Sequence, residues 1–143
     1  MILLEKLTNR VKDYKESIPV IVGKTVKENE AIIIDFIIED QLFEKGINGS
    51  GQSLGDYSPI TVSIKREKGQ PTDRVTLRDT EAYHNSHTLE VTQEGGFAIK
   101  VSDFKYGELV ERYGNIDALT DENLQDILRS YVLPDLLEEF RKI

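Results

Sequence analysis

The sequence predicts an α+β fold, with N-terminal helices, a small antiparallel β-sheet built on a central hairpin, and C-terminal helices. Three observations predict it. Apolar residues recur at helical spacing in the first stretch, two alternating runs flank Gln93-Glu-Gly-Gly96, and a capped, apolar-periodic segment lies near the end. The 143 residues suit a single domain with enough chain to bury a core.

Ile2, Leu3, Leu7, Val11 and Tyr14 fall on one helical stripe, and Glu5, Lys6, Arg10, Lys12 and Asp13 fill the other face. This predicts a helix ending near Ser17. Ser17-Ile18-Pro19 reads as a boundary, because proline disfavours helix in the residue before it and suits a first helical turn. A second helix is favoured from residue 20 to about 45, with Val22, Val26, Ile33 and Ile37 on one side. The rival reading is a buried strand at residues 32–38, where β-branched residues dominate. Residues 1–45 thus form an N-terminal helical part.

Gly46-Ile-Asn-Gly-Ser-Gly51 ends it, since glycine and asparagine mark turns with positive φ. Residues 46–73 are expected to be largely exposed loop. Within them Ile60-Thr-Val-Ser-Ile64 reads either as a short strand or as a short helix opened by Ser58-Pro59, and residues 65–73 as a polar, mobile loop. An extended run then ends at Leu77. Asp79-Thr80 looks like a helix-capping pair before a short polar turn, and a new strand starts at His87.

The hairpin is the clearest element, with residues 88–92 and 97–101 alternating on either side of the turn. A short helix from Tyr106 to Tyr113 points Leu109, Val110 and Tyr113 inward and closes at Gly114. Residues 74–114 therefore carry the motif region, hairpin and short helix, and residues 115–143 a helical extension. Thr120 caps the helix that carries Leu124, Ile127, Leu128, Tyr131 and Val132, and Pro134 kinks or restarts it. Leu136, Leu137 and Phe140 form the last apolar face.

The net charge of −8 argues against free nucleic-acid binding as the main role, because phosphate contact needs positive surface. The charge is uneven. Lys65, Arg66, Lys68, Arg74 and Arg78 cluster centrally, and acidic residues crowd the last third. A self-complementary ring, with basic region meeting acidic helix, is one reading of that asymmetry, and a solvated loop is the other. The absence of cysteine excludes disulfides, thiolate zinc sites and a cysteine nucleophile, and fits a reducing cytoplasm. The N-terminus shows no basic segment followed by an apolar one, so no signal peptide is expected. The longest apolar-rich run, residues 31–38, is too short to span a bilayer.

Catalytic and cofactor readings find little support. His84, His87 and Glu90 would share a face only on a helix, and His87 is expected to open a strand, so the two histidines read as polar surface and no metal is expected. Asp79, Glu81 and Asp103 could be imagined as an acid/base set, but Asp79-Thr80 reads better as an N-cap. The glycine-rich segment lacks the Lys-Ser/Thr ending of a P-loop, and Ser86 between two histidines is adjacency without triad geometry. No cofactor is expected.

Three stretches in order resemble one family. They are Gly46-Ile-Asn-Gly-Ser-Gly-Gln-Ser-Leu-Gly-Asp-Tyr-Ser-Pro-Ile-Thr61, Leu77-Arg-Asp-Thr-Glu-Ala-Tyr-His-Asn-Ser86 and Tyr106-Gly-Glu-Leu-Val-Glu-Arg-Tyr-Gly114. Their order and spacing resemble the virion-morphogenesis, or tail-completion, family of tailed phages and prophages. The family usually has glycine after the Asp-Thr pair, where this chain has Glu81. The resemblance implies a structural, non-enzymatic protein of the head–tail junction. Such a protein forms a ring that links the connector or adaptor to the tail tube, and meets DNA only as it passes. It implies host cytoplasm during assembly, then the virion. It makes Leu77, Asp79, Thr80, Ser86, Tyr106 and Gly114 fold-setting residues. A contact role for Lys65, Arg66, Lys68, Arg74 and Arg78 comes from the charge pattern. The rival reading is a small acidic, non-enzymatic binding or regulatory protein of the inhibitor kind.

Overall fold

The computed structural model describes residues 2–78 and 82–142. The fold is α+β, as expected. Helix α1 (Ile2–Glu28) leads into α2 (Glu30–Asp35), which continues as a wider π-helical segment, Phe36–Lys45. A glycine-rich turn and α3 (Pro59–Glu67) follow. A 3₁₀ turn, His84–Ser86, opens the hairpin of β1 (His87–Val91) and β2 (Phe97–Val101), and α4 (Tyr106–Tyr113), α5 (Asp121–Ile127), a π-helical segment Leu128–Val132 and α6 (Leu133–Arg141) complete the chain.

The hairpin is antiparallel, with Leu89 opposite Ile99. Leu89 turns its backbone away from β2. Its N–H donates to Glu30 Oε2 at 2.7 Å and its carbonyl accepts from Lys27 Nζ at 2.7 Å. The Lys27–Glu30 ion pair at 2.8 Å therefore covers this strand edge at its middle, and these bonds hold the Glu30 carboxyl below its usual pKa, the Lys27 bond contributing most.

Two apolar clusters share Ile99 and Leu119. One gathers Ile37, Leu42, Val75, Tyr83 and Ile116 under the motif region, and the other gathers Val26, Ile33, Leu89, Ile127 and Val132 between α1, α2, the hairpin and α5. Residues 116–132 thus belong to the core, because Ile116, Ile127 and Val132 are buried.

Several local expectations are overturned. The boundary at Ser17-Ile18-Pro19 is absent, and α1 runs through Pro19. An interior proline costs a helix about 3 kcal/mol, but here the hairpin packs onto the same stretch. A Cβ on Gly95 would lie 3.3 Å from the Pro19 carbonyl oxygen, and one on Gly23 would lie 2.7 Å from Val91. Tertiary packing holds the helix where local chemistry would end it. Residues 31–38 are helical, so the strand alternative falls. Residues 46–73 are no continuous exposed loop, because Leu54 is buried and residues 59–67 are helix α3. Ser58 caps α3 by accepting from Thr61 N–H, with Pro59 in the first turn. At the other end, where a kink or a restart is expected, Pro134 sits in the first turn of α6 after the π-helical segment.

Candidate functional site

The three motif stretches, far apart in sequence, fold against one another. Asn48, buried in the first, accepts at Oδ1 from the N–H groups of Ser50 and Gln52 and donates from Nδ2 to the Tyr113 carbonyl at 3.0 Å. Gly49 N–H donates to the Asn115 carbonyl at 2.9 Å. Gly114 has φ 81°, and a Cβ there would lie 3.2 Å from Asn48 Nδ2, so glycine serves both the conformation and the approach. Gly46 closes the π-helical segment at φ 61°, where a Cβ would meet the Val75 carbonyl oxygen at 2.9 Å. Tyr57 accepts at its hydroxyl from Thr76 N–H at 2.8 Å. Tyr106 donates to Asp117 at 2.6 Å, which pushes its pKa up to about 12.

Beside this junction lies a polar corner. Arg78 donates from Nε to His84 Nδ1 at 3.2 Å, pairs with Glu39, and stacks over the Phe43 ring at 4.2 Å. His84 is buried and its Nε2 lies 3.1 Å from the Thr76 carbonyl oxygen. Burial, aided by Arg78, pushes its pKa down to about 4. His87 is buried too, with Nδ1 near the Tyr83 and His84 carbonyl oxygens, and burial lowers its pKa. The histidines are therefore interior, neutral residues and not the polar surface that spacing suggested. A backbone carbonyl three to eight residues away meets one ring nitrogen of each.

A cavity of about 190 Å³ opens here, lined in part by Tyr57, Lys65, Leu77, Tyr83 and Leu109. Ligand pockets usually span about 300–1,000 Å³, so this one is small. Three cations line it: Lys65 is buried over the Tyr57 ring and donates to the Arg78 carbonyl at 2.8 Å, Arg78 pairs with Glu39, and Lys105 lies over the Phe104 ring. Both His84 nitrogens are engaged. Among the described residues, no three His, Asp or Glu side chains are placed to hold a metal ion.

The fold-setting residues fall as follows. Leu77 has φ 56°, a strained value for leucine, where the extended run ends against the core. Ser86 donates from its hydroxyl to the Tyr83 carbonyl at 2.6 Å, and its own carbonyl accepts from Ser102 N–H, which starts the hairpin ladder. Tyr106 and Gly114 join the junction above. Asp79, Thr80 and Glu81 lie outside the described residues, and the expected cap with them.

The five basic residues do not form one surface. Arg74 donates to the Phe43 carbonyl at 2.6 Å and pairs with Asp73, while Arg78 and Lys65 are engaged as above. Arg66 and Lys68 are exposed on α3 and its C-terminal end. Lys65 as a subunit contact is corrected, because its ammonium is turned inward by ring and carbonyl partners.

Sequence reading missed Gln41, which is fully buried. Its Oε1 accepts from Thr120 N–H and Asn123 Nδ2, and its Nε2 donates to the Ala118 carbonyl. No local signal marks it. No family model, curated protein or solved structure matches this chain.

Proposed function

We propose that this chain is a structural protein of a tailed phage or prophage, acting at the head–tail junction as a neck or tail-completion protein. It works by contact with copies of itself in a ring, and with the connector or adaptor and the tail tube. It carries no catalytic group and needs no cofactor. It meets DNA only as the genome passes, and moves from host cytoplasm into the virion.

One observation carries this reading. The three stretches that resemble the tail-completion family form one packing unit: Leu54, Tyr57, Leu77, Tyr83, Tyr106 and Leu109 share one apolar cluster, and Asn48 of the first bonds the Tyr113 carbonyl of the third. Groups that serve catalysis converge on a reacting position, whereas these hold a scaffold. Arg66 supplies exposed positive charge for a neighbouring acidic face. The test is deletion of the gene from the phage. The reading expects filled heads and separate tails that fail to join, and normal joined particles would refute it.

The second reading, a small acidic binding or regulatory protein, draws on one fact. The Lys65 ammonium is turned inward, and Arg74 and Arg78 are paired with Asp73 and Glu39, so little of this positive charge is left for the rest of the acidic surface.

A further inference from the structure

The hairpin leaves one of its two edges unpaired. Thr92 N–H donates to the Gly96 carbonyl and Ser102 N–H to the Ser86 carbonyl, so the even-numbered residues of β1 and β2 form the hydrogen-bonded pairs. The N–H and C=O groups of Phe97, Ile99 and Val101 therefore point away from β1. None of them has a hydrogen-bond partner among the described residues. The outer edge of β1 is covered at Leu89 by Lys27 and Glu30. The outer edge of β2 has no such cover, and neither proline nor bulge blunts it. Phe97 and Ile99 line a groove of about 260 Å³ with Asp117, Ala118, Leu119 and Leu124, so the chain before α5 approaches the strand without bonding to it.

Unpaired backbone donors and acceptors along an edge are completed by another strand. Among the described strands, β2 is the one a second copy can offer, because its β1 edge is covered in the same way. A two-stranded ribbon is marginal and four strands are a common sheet size, which one copy supplies at a stroke. A two-fold axis normal to the sheet makes the two β2 strands antiparallel and keeps the apolar faces of both hairpins on one side. With the axis at Ile99, all five residues of each strand are paired. Phe97 then stands opposite the mate's Val101, an aromatic and β-branched pair, and Ala98 opposite the mate's Lys100. An axis at Lys100 would set two lysines opposite each other, and one at Ala98 would pair fewer residues of the strand.

The charges agree with the Ile99 register. Thr88, Glu90, Ala98 and Lys100 form the exposed face, with Glu90 opposite Ala98. One row across the new sheet reads Glu90, Ala98, then Lys100 and Thr88 of the mate. The mate's lysine is two strand spacings from Glu90, about 10 Å between backbones, with only the small Ala98 side chain between them. Glu90 and Lys100 have no ion pair among the described residues, so both are free to meet there. The two lysines are diagonal to each other and not opposite. Asp117, the one charged residue lining the groove, accepts from the Tyr106 hydroxyl.

We propose that two copies of this chain pair through their β2 edges, antiparallel about Ile99, into one four-stranded sheet. The contact closes on itself. It is therefore distinct from the ring contact proposed above, and its test does not depend on that reading.

The chain has no cysteine, so introduced thiols report the contact cleanly. Ala98 and Lys100 are exposed, and across the new pair their Cα atoms stand about 4.5 Å apart, within disulfide reach. Sedimentation equilibrium of the wild-type chain should show a reversible dimer. Full-length Ala98→Cys and Lys100→Cys chains should cross-link on mixing under mild oxidation, much faster than either links to itself. The amide hydrogens of Phe97, Ile99 and Val101 should exchange more slowly as protein concentration rises. Wild type that stays monomeric up to millimolar concentration overturns the proposal, and leaves the edge to an extended segment of another protein. A dimer in which these amides stay unprotected also overturns it. So does a dimer whose mixed cysteine chains do not cross-link, since the contact then lies on another surface or in another register.

Discussion

Arg78 fixes the tautomer of His84. Its Nε–H donates to His84 Nδ1 at 3.2 Å, and a guanidinium offers no lone pair in return. Nδ1 must therefore accept, the ring proton sits on Nε2, and Nε2 donates to the Thr76 carbonyl at 3.1 Å. A second proton on this ring would face the arginine at hydrogen-bond distance.

This gives a pH dependence. The folded-state pKa of His84 is lowered to about 4 by burial first and Arg78 second, so the unfolded chain takes up a proton that the folded chain resists. The contribution is fully present above the unfolded value of about 6.5 and is lost as pH falls from there toward 4, up to about 3 kcal/mol. Urea unfolding across that range should show the decline. His84→Gln should flatten it in part, with His87, also lowered, supplying the remainder. A wild-type profile without slope between these values would contradict the assignment.

Arg78→Lys should destabilise by about 1–3 kcal/mol, because a lysine cannot keep the Glu39 pair, the His84 bond and the stack over Phe43 together. Arg66→Ala, at an exposed site, should stay within about 0.5 kcal/mol. Equal effects from the two variants in chemical unfolding would count against an interior role for Arg78.

Gln41→Leu should be among the most damaging single changes. It keeps the approximate volume but strands Thr120 N–H, Asn123 Nδ2 and the Ala118 carbonyl. Asn123 retains its bond to Asp40, so the expected loss is about 3 kcal/mol and not the sum of three stranded groups. A denaturation midpoint equal to wild type would remove the network from the account.

Tyr83→Phe should behave in the opposite way. The Tyr83 hydroxyl is buried with no hydrogen-bond partner among the described residues, and burial drives its pKa upward. Removing a hydroxyl that is desolvated but unpaired should leave stability within about 0.5 kcal/mol of wild type, or raise it. A loss above about 1 kcal/mol would mean that the hydroxyl makes a bond.

The contrast between Gln41 and the hairpin shows how far sequence reaches. The hairpin was legible because alternation at residues 88–91 and 97–101 and the Gly95-Gly96 turn are local chemistry. The Thr120 cap was legible for the same reason, and Thr120 accepts from Asn123 N–H as expected. Ile60 to Ile64 stayed open because a short apolar alternation suits either element, and the Ser58-Pro59 cap decided it. Pro19 misled because its local cost is opposed by a hairpin that arrives from residues 91–95. Gln41 depends on a carbonyl 77 residues away, which no window of sequence contains, and Lys65 and His84 on carbonyls 13 and 8 residues away whose approach is set by how the chain folds back.

The central claim is a place in the particle. Its most direct test is quantitative mass spectrometry of purified particles from the source phage or induced prophage, reading the copies of this chain per portal protein. A head–tail junction role predicts a small, fixed ratio that persists through further purification. Absence of the chain from clean particles would contradict that role and favour the acidic regulatory protein.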